Sequence, residues 1–301
     1  MQERLGLREK LEVIGRRNIR DYMPDQHRSF FAQLPFLIVG SVDANGQPWA
    51  SVLAGLAGFT SSPDAHHLRI NARPLPGDPL NETLTEGATI GLLGIEPHTR
   101  RRNRMNGIVE EAGPDGFTVR VVRSFGNCPK YIQARAPAPV SGTAAAGTVH
   151  RSGVLDVAMR AIIAAADTFF IATAYADKDK GFDRPHGADV SHRGGRPGFV
   201  HIDERGALTV PDYVGNSYFN TIGNLLLEPR AGLLFIDFAT GDLLYLAADG
   251  EVVLEGEAVR AVNGAQRLLH LRIREAIRVE RSLPLTWGQA ELSPFLAAIE
   301  P

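Results

Sequence analysis

Short apolar runs separated by turn signals dominate the chain. Phe36–Val42 is followed by Asp43-Ala44-Asn45-Gly46 and a return run over 48–53, a pattern that predicts a β-hairpin. Runs at 67–72, 89–95, 107–111 and 117–123 predict further strands. Ahead of them, Leu5, Leu11, Val13, Ile14 and Ile19 lie among many charges and predict a helix stopped by Pro24, and 26–34 predicts a second. The pattern then begins again. A helix is predicted over 155–166, with Leu155, Met159, Ile162 and Ile163 on one face, and a strand over 168–174. The runs 199–202 and 207–210 flank Asp203-Glu204-Arg205-Gly206 as a hairpin, and 232–238 has the continuous apolar character of a buried strand. The runs 243–247 and 251–259 suggest a hairpin across Asp249-Gly250, while 265–280 suits strand and helix alike. Short strands at regular spacing with Gly-rich turns point to a barrel or sandwich.

The two halves repeat. Leu68-Arg69-Ile70, Gly77-Asp78-Pro79-Leu80-Asn81 and Ile90-Gly91-Leu92-Leu93 parallel Leu208-Thr209-Val210, Gly215-Asn216-Ser217 with Asn220, and Ala231-Gly232-Leu233-Leu234. An offset of about 140 residues is too long for a solenoid unit and predicts two copies of one domain. The expected division is a helical lead-in over 1–34, a first copy over 35–135, an Ala/Pro/Gly-rich linker over 136–150, and a second copy with a C-terminal extension over 151–301.

Composition narrows the classes. Of 301 residues, 44% are hydrophobic and 22% charged, with a net charge of −2, which suits a globular protein and argues against a dedicated nucleic-acid binder. No apolar run approaches the ~20 residues of a membrane span, and Met1-Gln2-Glu3-Arg4 has no apolar leader after it, so the expected location is cytoplasmic with no membrane partner. The single cysteine, Cys128, excludes an intrachain disulfide and a cysteine-held cluster.

The densest chemistry lies over 187–240. A helix is expected to open at Gly215-Asn216-Ser217, capped by Asn216 or Ser217. Its first amides have no acceptor of their own, Asn216, Ser217 and Asn220 add neutral donors, and Arg193 and Arg196 lie one strand upstream. These residues could hold an anion, or be an ordinary capped helix between two strands. In the first copy Asp78-Pro79 stand in the place of Asn216-Ser217. A carboxylate repels a phosphate and proline lacks an amide donor, so that copy is expected to have lost the site. Arg100, Arg101, Arg102 and Arg104 run up to Asn106-Gly107 and read as a basic hairpin end, either an acid-binding patch or a solvated turn. Asn127-Cys128-Pro129-Lys130-Tyr131 is expected to be a turn leading into a short helix, with Lys130 and Tyr131 as mobile donors. No P-loop, GxGxxG or HxxxH pattern is present.

The ordered strings DVSHRGG, GFVHID, LTVPDYVGN and EPRAGLLFID, over roughly 185–258, resemble the flavin-binding split barrels of the pyridoxamine 5′-phosphate oxidase-like superfamily. RDYMPDQHRSFFAQLPF and FGNCPKYIQ are similar to strings in its larger members. The resemblance implies a mostly β fold with flanking helices (α+β), built as two tandem split β-barrels. It implies FMN on the second barrel, against Ser191, Arg193, Arg196, Val210, Pro211, Asp212, Asn216, Ser217, Tyr218 and Asn220, with Asn127, Lys130 and Tyr131 reaching over from the first. His186 and His192 flank the flavin strand, and Trp287 either stacks on the flavin or belongs to the core. Many relatives carry an arginine after the Gly-Asn pair, where this chain has Ser217-Tyr218. The implied activity is that of an oxidoreductase acting on a small molecule, with an electron donor such as NAD(P)H, and the flavin itself carries the chemistry. A flavin carrier or sensor without turnover, and a haem-binding or haem-degrading protein, are the alternatives. Flavin in such barrels lies at a junction between two of them. The expectation is a homodimer pairing second barrels, with a junction inside one chain as the alternative.

Overall fold

The computed structural model describes residues 18–140, 147–175, 187–215 and 217–299, with scattered positions among the first 17. Two antiparallel sheets share one design. The first contains β1 (Phe36–Val42), β2 (Pro48–Ala54), β3 (Thr60–Ser61), β4 (His67–Ile70), β5 (Thr89–Glu96), β6 (Arg101–Gly113) and β7 (Gly116–Gly126), in the order β2-β1-β5-β6-β7-β4-β3. After β8 (Pro137–Pro139) and β9 (Val149–Ser152) come β10 (Thr168–Tyr175), β11 (Gly187–Gly194), β12 (His201–Ile202), β13 (Leu208–Asp212), β14 (Arg230–Ile236), β15 (Leu243–Val253) and β16 (Arg267–Val279), in the order β11-β10-β14-β15-β16-β13-β12. The second order repeats the first strand for strand. Helix α1 (Asp25–Ala32) leads into β1 as α3 (Val157–Ala165) leads into β10, and α2 (Leu80–Thr83) links β4 to β5 as α4 (Asn220–Leu227) links β13 to β14. A short α5 (Glu257–Arg260) precedes β16, and β17 (Leu285–Trp287) pairs with β8. The fold is mostly β with flanking helices, and among the described residues each sheet's hydrogen-bonded path ends on edge strands without closing.

Three apolar cores explain the sequence pattern. One lies within the first copy around Phe31, Leu53, Leu92 and Phe117, and one within the second around Met159, Phe169, Phe235 and Leu269. The third lies between the copies and takes Phe36, Ile38 and Trp49 from one, and Phe170, Val190, Leu234 and Tyr245 from the other. Strands β1 and β14 are therefore covered on both faces, which is why their apolar runs are nearly unbroken.

The copies meet through an approximate internal two-fold. Cα pairing aligns the row Ala50–Gly40–Gly91–Asn106 with the row Val190–Ala172–Gly232–Ala247. A Cβ on Gly91 would stand 2.8 Å from Ala188 O and 2.9 Å from Asp189 Cα, and one on Gly232 would stand 2.5 Å from Trp49 Cα. Each glycine lets the other copy's second strand pack directly on its backbone. Gln47 Nε2 donates to Ala231 O (2.9 Å) and Asn106 Nδ2 to Ala188 O (2.9 Å), on opposite sides of the junction.

Several expectations need correction. Asn106-Gly107 is no turn. It lies inside β6 at a register shift, where Gly107 lets the backbone of Arg120 approach, and the hairpin closes beyond Gly113. Asp249-Gly250 likewise lies inside the continuous β15, which pairs along its length with β16. The span 265–280 is settled as the strand β16, because its alternating positions bury Leu269 and Leu271 on one face. The expected linker contains β8 and the start of β9, which pairs with the C-terminal end of β16. Its residues 141–146 lie outside the described ones, as do Leu5, Leu11 and Ile14 of the lead-in. No short helix follows Pro129; that stretch is turn and coil.

Candidate functional site

A cleft of about 350 Å³ opens at the junction of the copies, between β6 with the segment after β7 on one side and β11, β13 and the start of α4 on the other. Strand alternation places its charges. Arg102 and Arg104 share one face of β6, and Ser191 and Arg193 share one face of β11.

Most of these cations are already engaged. Arg104, 5% exposed, donates to Asp189 Oδ2 at 2.9 Å and to Ser191 Oγ at 2.7 Å, and Thr221 Oγ1 donates to the same Ser191 at 3.0 Å. Asp212 pairs with Arg193 and with Arg267. Arg102 differs. Its Nε donates to Cys128 O at 2.7 Å, and no carboxylate among the described residues pairs with it. Burial and then the neighbouring Arg104 and Arg193 push its guanidinium down to about 10. With Arg267 and Lys130, the cationic side chains outnumber the carboxylates Asp189 and Asp212, and Arg104 Nε and Arg193 Nε are buried without a hydrogen-bond partner. Burial and the nearby arginines 102, 193 and 135 hold the His192 imidazole well below its usual range, so this buried ring is neutral.

The helix end adds further donors. Phe219 is the N-cap of α4 in left-handed conformation (φ 58°), and no side chain caps the helix. Asn220, Thr221 and Ile222, the first residues of α4, line the cleft, and the first amides of a helix have no intrahelical acceptors. Ser217 (φ 59°) and Tyr131 (φ 64°) are also left-handed. Three such non-glycine residues around one cleft are strain of the kind held at ligand sites. Tyr131 and Tyr213 pack at 5.3 Å between ring centroids, and the Tyr131 hydroxyl donates to Val214 O across the two copies.

Of the residues expected to form the site, Ser191, Arg193, Pro211, Asp212, Ser217, Tyr218, Asn220, Asn127, Lys130 and Tyr131 line the cleft. Arg196 is exposed and outside it, and Val210 is buried in the second copy's core. Asn216 and His186 lie outside the described residues. Ser217 does not cap the helix, whose cap, Phe219, lies two residues beyond it. Trp287 belongs to the packing between β1 and Phe238, edge-on to Phe36 at 5.3 Å and to Phe238 at 4.9 Å, and so is no flavin cap. The sequence reading weighed Arg102 and Arg104 only as part of a basic hairpin end, an acid-binding patch or a solvated turn, and did not bring them to this cleft, although their i, i+2 spacing places them together on one face of a strand. Arg267 carried no local signal; only its pairing opposite Asp212 in β13 brings it in.

The two-fold equivalent of the cleft is closed. Ser51 occupies the place of Ser191, Leu53 that of Arg193, Leu243 that of Arg102 and Tyr245 that of Arg104. Here Asp78, 2% exposed, accepts from Ser51 Oγ (2.5 Å), Tyr245 OH (3.1 Å) and the Leu80 amide at the start of α2 (2.8 Å). Burial pushes the Asp78 carboxyl up to about 6 against these donors. A carboxyl raised on folding favours the folded state at low pH; its contribution is full below its unfolded pKa near 4 and is lost as pH rises through about 6. The stability of the wild type relative to Asp78→Asn is expected to fall by roughly 2–3 kcal/mol between pH 4 and 7, read from urea melts. A flat difference would place the carboxyl's titration elsewhere.

No protein-family model matches the sequence, and no curated protein matches it. Several solved structures are similar to the chain, three of them over about two-fifths of its length. The HupZ protein of Group A Streptococcus aligns at 10% identity over 41% of this chain and 98% of its own (TM-score 0.32). A pyridoxamine 5′-phosphate oxidase candidate from Lactobacillus delbrueckii aligns at 14% over 42% and 94% (TM-score 0.32). An FAD-binding protein from Mesorhizobium loti aligns at 12% over 44% and 97% (TM-score 0.29). These neighbours are pyridoxamine 5′-phosphate oxidase-like split barrels. No described helix is long and apolar enough to cross a membrane, and no group of His, Cys, Asp or Glu among the described residues could hold a metal.

Proposed function

We propose that the cleft binds FMN and that the chain is an FMN-dependent oxidoreductase acting on a small molecule, with NAD(P)H as the electron donor. The observation that carries this reading is Arg102, a half-buried guanidinium without a carboxylate partner among the described residues, in the same cleft as the uncapped start of α4. A protein keeps repelling cations buried together where an anion completes them. The residues present fit a nucleotide phosphate: Arg102, Arg193, Ser217 and the first amides of α4 would hold it, while Tyr131, Tyr213 and Tyr218 would flank the ring system. Bound flavin would supply the hydride or electron chemistry. The chain's own groups would bind it, orient it and exclude water. Because both copies line the cleft, one chain would suffice for the site, and a homodimer would not be required.

The test is the optical spectrum and mass spectrum of the purified protein. The expected result is bound FMN whose absorbance bleaches on adding NAD(P)H. Bound flavin that no donor reduces would favour a carrier, and no binding of added FMN would sink the reading. Light scattering is expected to show FMN held by a 32.6 kDa species.

Lys130 gives a further expected outcome. Its ammonium lies 5.3 Å from the Phe295 ring centroid, at the cleft lining. Charge attraction of roughly 1 kcal/mol between this cation and a reduced ring would raise a two-electron potential by about 20 mV. Lys130→Met should therefore lower the potential of bound FMN by about that amount with an unchanged melting temperature. An unmoved potential would leave Lys130 a packing residue.

A further inference from the structure

The closed counterpart of the cleft is more than an absence. Its donors keep the arrangement of the open one: a serine hydroxyl from the second strand (Ser51 for Ser191), a first-turn helix amide (Leu80 for Asn220), and a β-strand donor from the other copy (Tyr245 for Arg104). All three converge on one carboxyl group that belongs to the chain itself. We propose that the first copy retains a second, neutral-donor site for a small carboxylate, that Asp78 permanently occupies it, and that this self-occupation limits the chain to one ligand.

Comparison of the two sites shows why each takes its occupant. The open site has arginines at 102, 104 and 193, so it suits a group that stays charged, such as a phosphate. The closed site has Leu243, Tyr245 and Leu53 at those places and no cation among the groups that contact Asp78. Its occupant loses hydration without gaining a counter-charge, which suits a carboxyl able to take up a proton. Tyr245 is the titratable group in contact, and burial together with Asp78 holds its hydroxyl protonated as a donor. The surroundings are tight as well: a Cβ on Gly77, beside Asp78, would stand 2.9 Å from Val149 and 3.0 Å from Val279, and Ser51, Leu53, Leu243 and Tyr245 are fully buried. Side chains buried to this degree leave no room for a nucleotide, while a formate-sized molecule would need only the volume that the Asp78 side chain vacates.

Chemical rescue tests this in the full-length chain. Asp78→Ala should melt about 5 °C or more below the wild type. Formate should restore much of that loss in a saturable way, acetate less, and the same concentration of chloride should not. Restoration should be stronger at pH 5 than at pH 8. If Asp78→Ala folds only when refolded in formate, the proposal stands; if formate acts no better than chloride in either format, it falls. FMN titration of the wild type supplies a second reading, expected to saturate at one equivalent per chain, and two equivalents would overturn the proposal. A wild type that binds no FMN would defeat the flavin reading alone, because the formate test does not depend on it.

Discussion

Gly232→Ala is expected to lower the unfolding free energy by about 3 kcal/mol or more and to abolish ligand binding in the cleft. Gly232 lies in the middle of β14, between Ala172 of β10 and Ala247 of β15, on the face that meets the first copy. The added methyl would run into the Pro48 carbonyl and stand 2.5 Å from Trp49 Cα. Both are backbone atoms held in the β1–β2 ladder, so no rotamer change relieves the overlap and the sheets must part. Overpacking usually costs about 1–3 kcal/mol, and this site belongs at the upper end because the obstacle is main chain. Parting the sheets also breaks the Gln47–Ala231 bond and shifts Arg102 and Arg104 relative to β11. Gly223→Ala is the control: nothing lies within 4 Å of its built Cβ, and replacing a helical glycine should stabilise by about 0.5–1 kcal/mol. Denaturant unfolding of both variants checks the contrast. A Gly232→Ala protein as stable as the wild type would show that the copies pack with slack.

What could be read from the sequence follows from how local each signal was. The hairpin at Asp43–Gly46, the helices over Asp25–Ala32 and Val157–Ala165 and the buried β14 depended on patterns within ten residues, and all form. The duplication was legible because both copies keep small residues at the junction, notably Gly91 and Gly232. Two Gly-containing pairs misled. Asn106-Gly107 and Asp249-Gly250 have the chemistry of turns, but each lies in a long strand whose neighbours on both sides supply ladder bonds, and tertiary pairing overrides the local preference. The site was half visible. Ser191, Arg193 and Asn220 stood in one contiguous stretch, whereas Arg102, Arg104 and Arg267 reach the cleft only through packing of the copies and cross-strand register. The Phe219 cap was invisible, since a left-handed phenylalanine goes against its own propensity.

Arg102→Leu is expected to weaken FMN binding by about ten- to a hundredfold while leaving the protein as stable as before, or slightly more so. A hydrogen bond to a charged group contributes roughly 1.5–3 kcal/mol, which sets the range of affinity loss. The stability expectation has a separate source. Arg102 has no carboxylate partner among the described residues and sits against Arg104 and Arg193, so its removal relieves repulsion at the cost of one bond to the Cys128 carbonyl. Leucine is the apt replacement, because Leu243 fills the equivalent place in the closed site. Arg104→Leu should behave in the opposite way. It would strand the buried Asp189 and leave Ser191 with Thr221 alone, and breaking a buried ion pair by removing one partner costs about 3–5 kcal/mol. Titration with FMN and thermal melting of the two variants therefore separate ligand-holding from structure. If Arg102→Leu melts early and binds FMN normally, the guanidinium serves the Asn127–Tyr131 turn through Cys128, and the cleft's anion site does not depend on it.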